Sequence, residues 1–273
     1  MDAAQTIDRR LGYAAVLDEG SIQEAIEFAA AHGFAAVELN MNIPVFLPEN
    51  YTPHDRRGLR DLSARKGVSM TMHAPEDISL MSPHRLLRRA GVERICEIAC
   101  FAQDTGASRV TIHIGNSVYF TMPDGKIPLH DVYPDRYRDA LKESLVAIRD
   151  HCAARVTVCV ENVEYFGRRV VQEVVGDLLR EGDLYLTWDI GHSYDAPEQE
   201  TFMRENLHYI RNCHVHDHDG KHSHKVLGAG KMDLPSYFRL LASSDTYFIF
   251  EVRPRENALL CLEYYRRSIR PLL

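Results

Sequence analysis

The chain has 273 residues, of which 45% are hydrophobic and 26% charged, and its formal net charge is −7. This balance excludes a disordered or fibrous chain and leaves ample material for a core. The acidic net charge argues against a broad basic face for nucleic acid. No run of about eighteen apolar residues offers a membrane span.

The N-terminus, MDAAQTIDRRLGY, carries no apolar signal core, so a soluble cytoplasmic protein is the expectation. Leu11 to Leu17 reads as the first strand. Ser21 and Glu24 form an S-x-x-E capping box, followed by the helical stripe Ile22, Ala25, Ile26 and Ala29 and closed by Gly33. Ala35 to Asn40 reads as the second strand. Further strands are predicted at Val68–Ala74, Ser108–Gly115, Val156–Asn162, Leu184–Ile190, Asn212–Asp217 and Tyr247–Val252. Helical stretches are predicted at Arg56–Lys66, Arg85–Asp104, Pro134–His151, Arg168–Arg180, Glu198–His208, Leu234–Ser243 and Pro254–Ile269. Strict alternation implies parallel strands joined by crossover helices. Eight such units in one chain of this length, with no linker, predict a single α/β domain over residues 1–273, a (β/α)8 TIM barrel. One connection is longer than the rest, residues 116–133, and it carries Tyr119, Phe120, Met122 and Pro123. The six cysteines form no C-x-x-C pair and are expected as free thiols, several of them buried.

Side chains alternate faces along a strand. One parity in the six later strands is apolar: Met70 and Met72, Val110 and Ile112, Val158 and Val160, Leu186 and Trp188, Cys213 and Val215, Phe248 and Phe250. These would face the helices. The other parity runs Thr71 then His73, Thr111 then His113, Cys159 then Glu161, Thr187 then Asp189, His214 then His216, and Ile249 then Glu251. In a barrel this parity points to the axis, and the second residue of each pair lies at the C-terminal rim, where barrel active sites are built. The stretch Ile210–Gly230 adds to this, holding His214, His216, His218, His222 and His224. Carboxylates sharing one rim repel unless cations or protons intervene, and histidine with carboxylate suits zinc, manganese or iron.

The motifs Met72-His73-Ala74-Pro75, Thr111-Ile112-His113-Ile114-Gly115, Val160-Glu161-Asn162, Trp188-Asp189-Ile190-Gly191-His192, Val215-His216-Asp217 and Phe250-Glu251-Val252 occur in the order of the xylose isomerase-like TIM barrels, which the chain resembles over roughly residues 11–270. That group includes sugar-phosphate isomerases and epimerases, and endonuclease IV. For the epimerase members the resemblance implies one divalent ion held by Glu161, Asp189, His216 and Glu251, with Glu161 and Glu251 as the catalytic acid/base pair. For the endonuclease-like members it implies further metal ligands at His73, His113, His192, His222 and His224. His222 stands where the family usually has Asp, and Ala229 replaces a frequent Glu in the Leu227-Gly228-Ala229-Gly230 loop. Asn162, Lys221 and Arg253 are candidate substrate contacts. The expectation is a metal-dependent isomerase or epimerase of a small sugar-like substrate, phosphorylated or not, with two or three divalent ions per chain. The alternatives are a multinuclear phosphoester hydrolase and a non-catalytic metal-binding barrel. A small-molecule partner is expected rather than nucleic acid or membrane, and a homo-oligomer is allowed.

Overall fold

The computed structural model describes residues 3–153 and 155–273. In chain order the strands are β1 (Leu11–Ala15), β2 (Ala36–Asn40), β3 (Ser69–His73), β4 (Arg109–Ile112), β5 (Tyr119–Met122), β6 (Gly125–Pro128), β7 (Thr157–Glu161), β8 (Tyr185–Asp189), β9 (Ile210–Val215) and β10 (Tyr247–Phe250). The expected eight parallel strands close into a barrel in the order β1-β10-β9-β8-β7-β4-β3-β2. The long connection after β4 forms the other two, an exposed antiparallel hairpin of β5 with β6, followed by the short helix Leu129–Val132. Among the described residues, no helix is long and apolar enough to cross a membrane.

The strands and crossover helices follow from the two periodicities. The apolar parity from Met70 to Phe250 is buried in one core cluster with the inner faces of the helices. These include Ile95 and Ile98 of the helix Arg85–Thr105, and Leu141, Leu145 and Ile148 of the helix Pro134–Cys152. The axis is built in layers of a different kind. Ala14, Ala36 and Ile249 form a separate small apolar plug. A Cβ on Gly12 would lie 2.7 Å from Ile249 Cδ1, so glycine is what admits the isoleucine there. Next to this plug comes a polar layer, Glu38, Thr71, Thr111, Thr187 and Asn212, every member buried. Barrel axes are usually filled by Val, Ile and Leu. A buried polar layer persists only because its members bond one another, as Thr111 Oγ1 and Thr187 Oγ1 do at 2.8 Å.

Local details differ from expectation at the caps. Ser21 Oγ accepts from the Glu24 backbone N–H at 3.1 Å, but the Glu24 carboxylate accepts from Gly20 N–H and Arg255 rather than from Ser21. The reciprocal box occurs instead between Thr52, which caps the helix Pro53–Lys66, and Asp55 in its first turn. The cysteines are free as expected, with Cys152, Cys159, Cys213 and Cys261 buried.

Candidate metal centre

His73, Glu161 and Asp189 are the last residues of β3, β7 and β8. His113, His216 and Glu251 lie one residue beyond β4, β9 and β10. The closed barrel thus delivers six ionisable side chains to one rim. Glu161, 2% exposed, is the hub: its Oε2 lies 3.0 Å from both His73 Nε2 and His113 Nε2, and its Oε1 lies 3.2 Å from His214 Nδ1. Asp189 is fully buried, 3.0 Å from His216 Nε2 and 3.5 Å from His192 Nδ1. Glu251 lies 3.3 Å from His214 Nδ1, 3.6 Å from His224 Nε2 and 3.5 Å from Arg253 Nη2.

Among the described residues, three sets of donor atoms lie within 4.8 Å of one another: Glu161, Asp189, His214 and Glu251; Asp189, His216, His224 and Glu251; and His73, Glu161 and His214. The first two each offer four donors, and in the first His214 takes the place expected of His216. His216 belongs to the second, with its ring stacked on His224 at 4.2 Å between centroids. His214 lies on the axis parity without a motif that marks it as a ligand, and Glu38 carries no motif at all. The available signals were a carboxylate in the middle of β2, between Val37 and Leu39, and two histidines two residues apart at the end of β9.

The supporting shell explains why these residues converge. Asn162 donates from Nδ2 to the Asp189 carbonyl at 2.9 Å and accepts the Asp189 backbone N–H at 2.7 Å, so its amide pins β8 to β7. Its remaining bonds go to Ser193 and Gln199. Asn162, expected as a substrate contact, is fully buried and engaged in this network. Asp217 accepts backbone N–H groups of His218, Gly228, Gly230 and Met232 at 2.8–3.2 Å and so folds the loop that carries His224. His224 has a φ of 56°, strained for a non-glycine residue, and donates its backbone N–H to His216 Nδ1 at 2.9 Å. His222 does not join the centre: its side chain is 70% exposed and pairs with Asp219 at 3.5 Å, because the loop turns it outward. Lys221 is exposed on the same turn. Arg253 alone of the expected cationic contacts reaches the rim.

Gly191 lies under His216. An added Cβ would sit 1.8 Å from His216 Cε1. Gly191→Ala is therefore expected to displace the imidazole from Asp189, costing about 1–3 kcal/mol of overpacking and reducing bound metal. Urea titration and metal analysis test this, and wild-type values for both would mean the ring is not seated there.

The charges at the rim are tightly opposed. Burial would raise Glu161, Asp189 and Glu251, but the facing imidazoles, chiefly His214 for both glutamates and His216 for Asp189, hold all three carboxyls below their ordinary range. Burial would lower the imidazoles, yet Glu161 and Glu38 raise His73 to about 9, and Asp189 raises His216 to about 9. His214 is driven up by Glu38 and Glu161. His192 Nδ1 is buried with no hydrogen-bond partner. Carboxylates and imidazoles with an orphaned ring nitrogen are a donor set that a hard or borderline divalent ion fits.

Comparison with known proteins agrees with this architecture. A D-tagatose 3-epimerase-like protein superposes with a TM-score of 0.76 at 21% identity, covering 94% of this chain and 96% of that one. Endonuclease IV from Thermus thermophilus gives a TM-score of 0.71 at 19% identity, covering 94% and 97%. The 3-keto-D-glucoside 4-epimerase of E. coli gives 0.72 at 16% identity, covering 94% and 98%. An uncharacterised protein of Methanocaldococcus jannaschii is 21% identical over 222 residues, 77% of this chain and 81% of that one. The xylose isomerase-like TIM barrel family matches residues 26–267, nearly the whole chain, and the chain belongs to that family.

Proposed function

We propose that this chain is a divalent-metal-dependent isomerase or epimerase of a small sugar-like substrate. The observation that carries this reading is that Glu161 and Glu251 approach one imidazole nitrogen, His214 Nδ1, from two strands at 3.2 and 3.3 Å. Two carboxylates thereby flank one small space, as proton removal from a carbon and proton return at the other carbon or the other face require. Glu251, whose side chain is 14% exposed, is the more accessible; Glu161 is deeper and held by three histidines.

Glu161, Asp189, His214 and Glu251 would hold the central ion. When bound, it polarises a carbonyl and an adjacent hydroxyl oxygen and so acidifies the carbon–hydrogen bond. Glu251 would take that proton while Glu161, itself ionised, would relay one from the His73 imidazolium it faces at 3.0 Å to the opposite side, or the two carboxylates would exchange roles. Arg253 offers a cation beside Glu251 for a phosphate or carboxylate on the substrate. A D-tagatose 3-epimerase-like protein and a 3-keto-D-glucoside 4-epimerase among the structural relatives support a sugar that carries a keto group as the substrate class.

A specific observation favours a second reading. His73 and His113, neither of them in the set of Glu161, Asp189, His214 and Glu251, converge on one oxygen of Glu161 and would hold a second ion with it. Two or more cations suit phosphoester hydrolysis, and endonuclease IV shares the fold. Incubating metal-loaded protein with D-fructose, D-tagatose and a 3-keto-glucoside in D2O separates the readings. The isomerase reading expects deuterium on the carbon beside the carbonyl, seen by NMR. Hydrolysis of bis(4-nitrophenyl) phosphate without label in any of the three sugars would replace it with the second.

A further inference from the structure

Glu38 is the central residue of β2, 2% exposed, with its side chain at the barrel axis next to the rim. An ionised carboxylate accepts hydrogen bonds only, and a buried one must find donors. Its Oε2 accepts from Asn212 Nδ2 at 2.7 Å and Thr71 Oγ1 at 3.1 Å. Its Oε1 lies 2.6 Å from His214 Nε2. Since Oε1 can only accept, Nε2 carries a hydrogen. A neutral His214 then has its lone pair on Nδ1, the atom facing Glu161 at 3.2 Å and Glu251 at 3.3 Å. A lone pair aimed at two carboxylate oxygens is repulsive unless a proton or a metal cation lies between them, and in the ion-free protein a proton on Nδ1 fills that place. The lone pair becomes favourable when Nδ1 is itself a ligand.

We propose that Glu38 is a positioning residue that fixes the tautomer and ring orientation of His214, so that Nδ1 of His214 ligates the ion shared with Glu161, Asp189 and Glu251. This rests on the ion site of the proposed function, though not on its reaction. His216 is held differently. Its Nδ1 accepts the His224 backbone N–H at 2.9 Å and its Nε2 faces Asp189 at 3.0 Å. With Nδ1 accepting, a neutral His216 carries its proton on Nε2 and donates it to Asp189, so the two neighbouring histidines differ: His214 offers a lone pair toward the carboxylates and His216 an N–H. A carboxylate behind a ligating histidine both orients the ring and strengthens it as a donor.

The test is Glu38→Gln, which preserves size. A glutamine that accepts from His214 must turn its NH2 toward Asn212 Nδ2, so the network cannot be satisfied without the carboxylate. Chelator competition with Mn2+ and Cd2+ is expected to give a dissociation constant raised by about 10–100-fold. In the wild-type protein loaded with 113Cd and labelled with 15N-histidine, His214 is expected to couple to cadmium through Nδ1 and to carry a proton on Nε2. A merely structural role would lower the melting temperature and leave both readouts unchanged. The role is overturned by coupling through Nε2, by absence of His214 coupling, or by a wild-type dissociation constant in folded Glu38→Gln protein. Failure of the wild-type protein to bind either ion overturns it together with the ion site. Absence of deuterium incorporation alone would sink only the isomerase reaction.

Discussion

Glu161→Gln is expected to abolish turnover and to strip metal from the rim. The glutamate is the meeting point of His73, His113 and His214, at 3.0, 3.0 and 3.2 Å. Glutamine keeps the volume and one acceptor oxygen but removes the charge that pairs these buried imidazoles. It also presents an NH2 where a ring nitrogen or a cation belongs. Loss of a positioned acid or base costs about 10²–10⁴-fold in rate, and loss of a ligand shared between donor sets compounds this. Turnover is therefore expected to fall by at least about 10³-fold, with metal content below wild type. The readouts are the deuterium-exchange rate and elemental analysis of protein purified under metal-replete conditions. Full metal content together with wild-type exchange would remove Glu161 from the centre.

The second large effect is the pH response of the ion-free protein, which the ion should invert. Without metal, His73 and His216 titrate near 9 and His214 well above its ordinary 6.5. Raised imidazoles stabilise the fold fully below the unfolded value of about 6.5, and that contribution is lost as pH rises toward 9. Glu161, Asp189 and Glu251 are depressed below 4.5, 3.8 and 4.5, so their contribution is present above those values and is lost as pH falls through the folded ones. The ion-free protein should therefore melt highest between about pH 4.5 and 6.5 and progressively lower toward pH 9. A bound ion reverses the trend, because each ligating histidine must give up its proton. At 100-fold excess over the dissociation constant the ion adds about 2.7 kcal/mol, a shift on the order of 5 °C in a chain of this size. The gap between metal-loaded and chelator-treated melting temperatures should widen from pH 6 to pH 9. A gap that narrows over that range would show that the imidazoles are not ligands.

The barrel and most of its rim are legible in the chain alone. Both rest on local periodicities: alternation of strand and helix, and, within strands, the period-two pattern that sends Met72, Val160 and Trp188 to the helices and His73, Glu161 and Asp189 to the axis. The histidine that completes the set of Glu161, Asp189 and Glu251 is not legible in this way. His214 and His216 share one parity and lie about 7 Å apart along the strand, so strand stagger selects between them. That stagger depends on the pairing of β9 with β8, where the register shifts at Leu186 and Thr187 and places Asp189 opposite His214. The fate of His222 was equally non-local. Asp217 gathers four backbone N–H groups from residues 218–232, and the resulting loop turns His224 to Glu251 and His222 to solvent. Glu38 was the least legible. In the sequence it is one of two polar residues in a short strand; pairing with β3 brings it Thr71, and His214 and Asn212 of β9 reach it only when the barrel closes.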